Sequence, residues 1–84
     1  MKVLEKQFYN QNMGILIDVR HPLDYKYENV NSVSINIYAE KLIYDPSKYL
    51  SKDKKYYIMC KKGILSKKVV IILDRLGYDV TLLK

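Results

Sequence analysis

The chain has 84 residues, of which 49% are hydrophobic and 29% are charged, and its formal net charge is +6. This size and composition predict one small folded domain, and they exclude a disordered protein or one with two separate cores. The single cysteine, Cys60, excludes an internal disulfide framework and a cysteine-cluster zinc site. With a lone thiol, no apolar stretch of membrane-spanning length and no signal-peptide core, we expect a cytoplasmic protein without a membrane partner.

The predicted elements of the first half begin with an edge strand over residues 1–4 and a helix over residues 5–12. After Gly14, residues 15–19 form an apolar run rich in branched side chains, which is typical of a buried strand. Pro22 suits the first turn of a helix that extends to about Glu28. Residues 33–37 alternate apolar and polar side chains and predict a second internal strand.

In the second half, residues 39–50 have helical character around Leu42 and are interrupted at Asp45-Pro46. Residues 56–59 predict a third internal strand, and residues 67–76 a helix with Ser66 as N-cap and Gly77 as its stop. Residues 78–83 form the final strand. Strands that alternate with helices predict a parallel sheet, and sites in such sheets form where the strands reach their carboxyl ends.

The positive charge lies in one half of the chain. Residues 1–42 carry five basic and five acidic side chains, whereas residues 43–84 carry ten basic and four acidic ones. A solvated lysine-rich face explains this as readily as a surface for an anionic partner. Thirteen lysines and nine tyrosines are compatible with nucleic-acid binding, but an AT-rich genome yields the same composition, and we do not expect nucleic acid as a partner.

Cys60 is the most informative residue of the sequence. It follows a predicted buried strand and precedes a predicted five-residue loop, residues 61–65, and a helix. Amides turned inward by such a loop, together with the positive end of the helix, favour the thiolate, which is the nucleophilic form. Gly63 lets the loop close, and nearby positive charge comes from Lys61, Lys62, Lys67 and Lys68. A small buried hydrophobe beside a solvated turn is the structural alternative.

Four segments also resemble the motifs of a known family. Residues 18–25, DVRHPLDY, are similar to a DVR-x-P-x-E-Y stretch, and residues 34–37, SINI, to an A-I-N-I strand. Residues 60–66, CKKGILS, are similar to C-x-x-G-x-x-S, and residues 73–80, LDRLGYDV, to L-x-x-x-G-Y-x-V. In this order, and over nearly the whole chain, they resemble a single-domain rhodanese, which is a sulfurtransferase module.

The resemblance implies an α/β fold in which residues 1–84 form one domain with a central parallel five-stranded sheet flanked by helices. The family usually continues past the last strand into a further helix, which is missing from this chain, since it stops at Lys84. We therefore expect an exposed apolar patch on one face of the sheet, and a homo-oligomer is one way to cover it.

The reaction implied by the resemblance is a two-step sulfur transfer that needs neither a metal nor another cofactor. The thiolate of Cys60 would take the outer sulfur of a small anionic donor such as thiosulfate, and the persulfide would pass it to cyanide or a protein thiol. Lys61 and Lys62 would bind the anionic end of the donor. The remaining roles would be persulfide binding by the loop amides, which include Gly63, Ile64 and Leu65, substrate binding or bracing at the rim by Arg20, and loop bracing by Asp18 and Ser66.

Several alternatives stay open at this point. The domain is also compatible with a non-catalytic rhodanese-like interaction or sensing module. Asp18 has an alternative role in capping the next turn, and Arg20 in pairing with an acid such as Asp24. A related phosphatase loop ends in an arginine, which neither Leu65 nor Ser66 can replace. A Cys–His hydrolase would use His21, but a histidine before proline is more often a turn or helix-flanking residue.

Overall fold

The five strands of the sheet all run parallel, as the alternation of strands and helices predicts. A computed structural model, which describes residues 1–29 and 31–84, gives the strand order β1-β5-β4-β2-β3. The strands are β1 (Lys2–Leu4), β2 (Ile15–Asp18), β3 (Ile35–Asn36), β4 (Lys55–Met59) and β5 (Asp79–Leu83). Because β4 lies between β5 and β2, the residue that follows it lies at the middle of the sheet's carboxyl edge.

The helices are α1 (Pro22–Tyr27), α2 (Ala39–Tyr44), α3 (Pro46–Tyr49) and α4 (Ile64–Arg75). The predicted helical stretch over residues 39–50 is thus two short helices, which meet at Asp45 because Pro46 begins a new first turn. Even α4 has only 12 residues, and no helix in residues 1–29 or 31–84 is long and apolar enough to cross a membrane.

The helix predicted over residues 5–12 is wrong. This segment contains only one 3-10 turn, Lys6–Phe8, before the chain turns again at Asn10. The side-chain Oδ1 of Asn10 accepts a hydrogen bond from the N–H of Asn12 at 3.0 Å, and local bonds of this kind compete with helical ones. The segment then carries the chain from the edge strand β1 past β5 and β4 to β2.

One face of the sheet holds the main core. Side chains alternate along a strand, so every second residue of β2, β4 and β5 points to the same face. On this face the strand residues pack against α2 and α4, and the set includes Ile17, Val19, Tyr56, Ile58, Val80, Leu82, Ala39, Leu42, Val69, Val70 and Leu73. The main core therefore fixes α4 over β4 and β5.

The second face has a smaller cluster, formed by Leu16, Met59 and Leu83. These side chains are buried because Leu4, Tyr9 and Tyr57 pack against them. The exposed apolar patch expected on one face of the sheet is therefore not found at these positions.

The ends of α4 depend on two glycines. Gly63 precedes the helix with a φ of +81°, a left-handed conformation that favours glycine, and α4 begins three residues earlier than predicted. The predicted N-cap role of Ser66 is therefore wrong, because Ser66 lies buried in the first turn. The predicted stop at Gly77 is confirmed by its φ of +90° and by the bond from the N–H of Tyr78 to the carbonyl of Leu73.

Candidate active site

Cys60 lies under the first turn of α4 at the carboxyl end of β4. The alternation of side chains along β4 directs it to the face that α4 covers, where it adjoins the main core and is only 5% exposed. The loop that follows Cys60 has three residues, Lys61–Gly63, instead of the predicted five, because α4 begins at Ile64. The shorter loop places the first turn of the helix directly over the sulfur.

Two backbone amides donate to the sulfur of Cys60. The N–H of Gly63 lies 3.2 Å from Sγ, and the N–H of Ser66 lies 3.3 Å from it. The hydroxyl oxygen of Ser66 is a third polar neighbour, at 3.2 Å. Fixed N–H dipoles directed at one atom stabilise negative charge on it, so this setting suits a thiolate better than an apolar strand end would.

A cavity of about 430 Å³ opens beside the sulfur. It lies at the carboxyl edge of the sheet, between the end of α1 and the beginning of α4. The lining residues are Arg20, Asp24, Tyr27, Glu28, Cys60, Lys61, Lys62, Ile64, Leu65 and Lys68. We call this space the Cys60 cavity, and its volume is in the usual range for small-ligand sites.

The Cys60 cavity contains most of the residues that the sequence singles out as substrate-binding. Arg20, Lys61, Lys62, Ile64 and Leu65 all line it. Gly63 does not, but it lines a smaller opening of about 110 Å³ next to Cys60, together with Lys6 and Lys84, among others.

The cavity has further lining residues that the sequence does not indicate as site residues. They are Asp24, Tyr27, Glu28 and Lys68. The sequence indicates Asp24 only as an alternative partner for Arg20. No local pattern indicates Glu28, because the connection between two parallel strands has to lead back to the amino edge of the sheet, away from Cys60.

Asp18 and Arg20 form a buried ion pair next to the cavity. Asp18 is fully buried, and its carboxylate accepts hydrogen bonds from the backbone N–H, Nε and Nη2 of Arg20 at 2.8–3.0 Å. Asp18 was expected to brace the cysteine loop, but within the described residues its carboxylate bonds to Arg20, and the bond from the N–H of Arg20 matches the alternative in which Asp18 caps the next turn. The partner of Arg20 is likewise Asp18 and not Asp24.

Arg20 connects this pair to the end of α1. Its Nη2 also donates to the backbone carbonyl of Glu28 at 2.6 Å. The carboxylate of Glu28 accepts a hydrogen bond from Nζ of Lys61 at 2.7 Å, which joins α1 to the cysteine loop. This hydrogen bond, the charge of Lys61 and the charge of Arg20 lower the pKa of Glu28.

His21 is a helix-capping residue. Its Nδ1 accepts a hydrogen bond from the N–H of Leu23 at 3.1 Å, and its ring meets that of Tyr38 edge to face. It does not line the Cys60 cavity. This placement matches the helix-flanking alternative and gives no support to a Cys–His hydrolase.

Comparison with known proteins agrees with the fold. The family model described as the rhodanese-like domain matches residues 1–84, the full length of the chain. The chain therefore belongs to the rhodanese-like domain family. A comparison with curated proteins gives no match.

Several solved structures are similar to the whole domain. A rhodanese-related protein from Thermoplasma volcanium is 27% identical, with a TM-score of 0.86 over 100% of this chain and 84% of that protein. A rhodanese-like domain protein from Staphylococcus aureus is 25% identical, with a TM-score of 0.76 over 96% of this chain and 82% of that one. The reduced CoADR-RHD of Bacillus anthracis is 29% identical, with a TM-score of 0.86 over 98% of this chain and 15% of that one.

Replacement of Arg20 with alanine tests the buried ion pair. The carboxylate of Asp18 would lose its cation while it stays buried, so we expect the free energy of unfolding to fall by about 3–5 kcal/mol. Urea denaturation of the wild type and of Arg20→Ala measures this, with Lys54→Ala as an exposed control that changes little. A loss below about 1 kcal/mol would show that the pair contributes no more than a surface one.

Replacement of Lys61 with alanine tests the contact across the cavity. Because Lys61 lowers the pKa of Glu28, we expect Lys61→Ala to raise that pKa towards the ordinary carboxyl range. In the wild type the ion pair is present at neutral pH and is lost as the pH falls through the lowered pKa of Glu28. An NMR titration of the Glu28 carboxyl carbon measures the shift, and Lys54→Ala should leave it in place. An identical titration in Lys61→Ala would contradict the contact.

Proposed function

We propose that the protein is a sulfurtransferase that carries sulfane sulfur on Cys60. The observation that carries the proposal is the pair of amides, from Gly63 and Ser66, that donate to Sγ at 3.2 and 3.3 Å beside an open cavity. A buried structural cysteine needs neither hydrogen-bond donors nor an opening next to its sulfur. Membership in the rhodanese-like domain family supports the same class of chemistry.

In the first step, the thiolate of Cys60 attacks the outer sulfur of an anionic donor such as thiosulfate. A bond forms between Sγ and that sulfur, and the sulfur–sulfur bond of thiosulfate breaks. The electron pair of the broken bond leaves with sulfite, and Cys60 becomes a persulfide. The amides that face Sγ stabilise the negative charge of the thiolate before the transfer, and afterwards that charge lies on the outer sulfur of the persulfide.

In the second step, an acceptor removes the sulfur. Cyanide or a thiolate attacks the outer atom of the persulfide, and the bond between that atom and Sγ breaks. The electron pair returns to Sγ, which restores the thiolate of Cys60 and leaves thiocyanate or a new persulfide as the product. No other oxidant or reductant is needed, because the attacking atom takes the sulfur directly.

The two loop lysines have different settings for donor binding. Nζ of Lys61 is paired with Glu28, whereas Lys62 forms no ion pair within residues 1–29 and 31–84. Both side chains line the Cys60 cavity. Lys62 is therefore free to bind the sulfonate end of a donor. Lys61 can bind the donor only after its ion pair with Glu28 is broken.

Loading with thiosulfate tests the function. We expect wild-type protein to gain the mass of one sulfur atom after exposure to thiosulfate and to lose it again when cyanide is added. Intact-protein mass spectrometry measures both changes, and Cys60→Ser should gain nothing. A folded wild-type protein that takes up no sulfur would contradict the proposal and favour a non-catalytic interaction or sensing module.

Lysine variants test how the donor is held. We expect Lys62→Ala to raise the KM for thiosulfate by about tenfold, equivalent to ~1.4 kcal/mol, and Lys61→Ala to raise it less because Lys61 is already paired. A neutral organic persulfide should respond weakly to either change, and added salt should raise the KM for thiosulfate alone. Lys54→Ala, from the opposite edge of the sheet, is the matched control. Equal effects on charged and neutral donors would exclude the lysines as the anion site.

A further inference from the structure

A second groove lies between α4 and the end of β5, with a volume of about 540 Å³. Its apolar lining comes from Ile64, Ile71 and Leu82, and its charged lining from Lys62, Lys67, Lys68 and Lys84. We call it the lysine groove. Four cations over an apolar surface form a combination that the sulfur chemistry at Cys60 does not by itself explain.

The lysine groove adjoins the Cys60 cavity. Lys62, Ile64 and Lys68 line both spaces, so these three side chains form the ridge between them. Ile64, the first residue of α4, is 65% exposed although it is a large apolar side chain. An exposed isoleucine beside a nucleophile is well placed as a contact for a bound partner.

The four lysine side chains of the groove have no acidic side chain beside them in the described lining. None of the four lysines forms an ion pair within residues 1–29 and 31–84. Lys67 and Lys84 do not line the Cys60 cavity, so a small anionic donor held there would leave both unused. Lys84 is fixed by its backbone, because its N–H donates to Leu4 and its carbonyl accepts from Lys6.

The lining favours a protein over a nucleic acid as the occupant. Single-stranded nucleic acids bind to basic grooves that also offer aromatic side chains for base stacking. The nine tyrosines of the chain do not supply such a platform here, since no aromatic residue is among the described residues that line the groove. The groove combines an apolar surface with lysines, which is complementary to a polypeptide that has an apolar side chain next to acidic ones.

We propose that the lysine groove docks an acidic segment of a protein whose cysteine accepts sulfur from Cys60. This inference rests on the proposed function, because the docked thiol needs a persulfide to attack. The thiolate of the partner attacks the outer sulfur, a new sulfur–sulfur bond forms on the partner, and the bond to Sγ breaks with its electron pair returning to Cys60. The acidic residues lie against Lys67 and Lys84, and the apolar side chain lies against Ile64 and Ile71.

Model peptides test the specificity of this acceptor site. Three peptides of equal length carry one cysteine and one leucine, flanked by glutamate, by glutamine or by lysine, and each is mixed with persulfidated protein. We expect the glutamate peptide to discharge Cys60 about tenfold faster than the glutamine peptide at low ionic strength, and the lysine peptide to be slowest. Added salt should reduce this difference. Equal rates for the three peptides would overturn the proposal.

Paired variants locate the effect. The double variant Lys67→Ala/Lys84→Ala should lose most of the advantage of the glutamate peptide over the glutamine peptide. Lys54→Ala/Lys55→Ala removes the same charge at the opposite edge of the sheet, where β4 begins, and should keep that advantage. An equal loss in both double variants would show that the effect comes from net charge, and it would overturn the proposal that the peptide docks in the lysine groove.

A binding measurement separates this proposal from the function on which it rests. A fluorescent glutamate peptide with serine in place of cysteine is titrated with unloaded protein, and its anisotropy is measured. Binding that Lys67→Ala/Lys84→Ala weakens supports the groove even if thiosulfate loads no sulfur, a result that would overturn only the sulfurtransferase function. A single-stranded DNA oligonucleotide that displaces the peptide, and itself depends on Lys67 and Lys84, would overturn a protein partner in favour of nucleic acid.

Discussion

The donation of two amides to one sulfur atom is the interaction on which the proposed chemistry depends. The N–H group of Gly63, just before α4, and that of Ser66, in the first turn of α4, both donate to Sγ of Cys60. Backbone dipoles are held by the fold, so they do not have to reorganise when the sulfur gains or loses charge. Cys60 adjoins the apolar core and is 5% exposed, yet it combines this polar setting with an open cavity. Core packing holds the sulfur in place, and the turn supplies its electrostatic environment.

The rest of the fold accounts for how that turn is held. The main core packs α4 against β4 and β5 through Val69, Val70 and Leu73. Gly63 takes the left-handed conformation that lets a three-residue loop lead directly into the helix. Glycine is favoured at position 63 because of its backbone conformation and not because of a lack of space, since a Cβ there would have no atom within 4 Å. The sulfur environment is thus a product of helix packing and of one backbone angle.

Features that depend on periodicity and on motif order could be predicted from the sequence. The parallel sheet, the edge strand at the N-terminus, Cys60 at a strand end and the stop at Gly77 follow from alternation, spacing and turn chemistry. Features that depend on one local competition were not predicted: a local hydrogen bond to Asn10 stands where a helix over residues 5–12 was expected, and Gly63 displaces Ser66 from the N-cap. Side-chain partners were harder still, since the pairing of Lys61 with Glu28 joins residues 33 positions apart, and no local pattern encodes it.

Acidic and basic side chains lie on different sides of the Cys60 cavity. On the side of α1, Asp24 and Glu28 line the Cys60 cavity, and Glu28 binds Lys61. On the side of α4, Lys62 and Lys68 line the same cavity without an ion pair in the part of the chain that the structure describes. The buried pair of Asp18 and Arg20 fixes this arrangement, because Arg20 also holds the carbonyl of Glu28. The unpaired lysines on the α4 side attract anions, so both the proposed small donor and the proposed acidic acceptor should approach the sulfur from the helix that carries its amides.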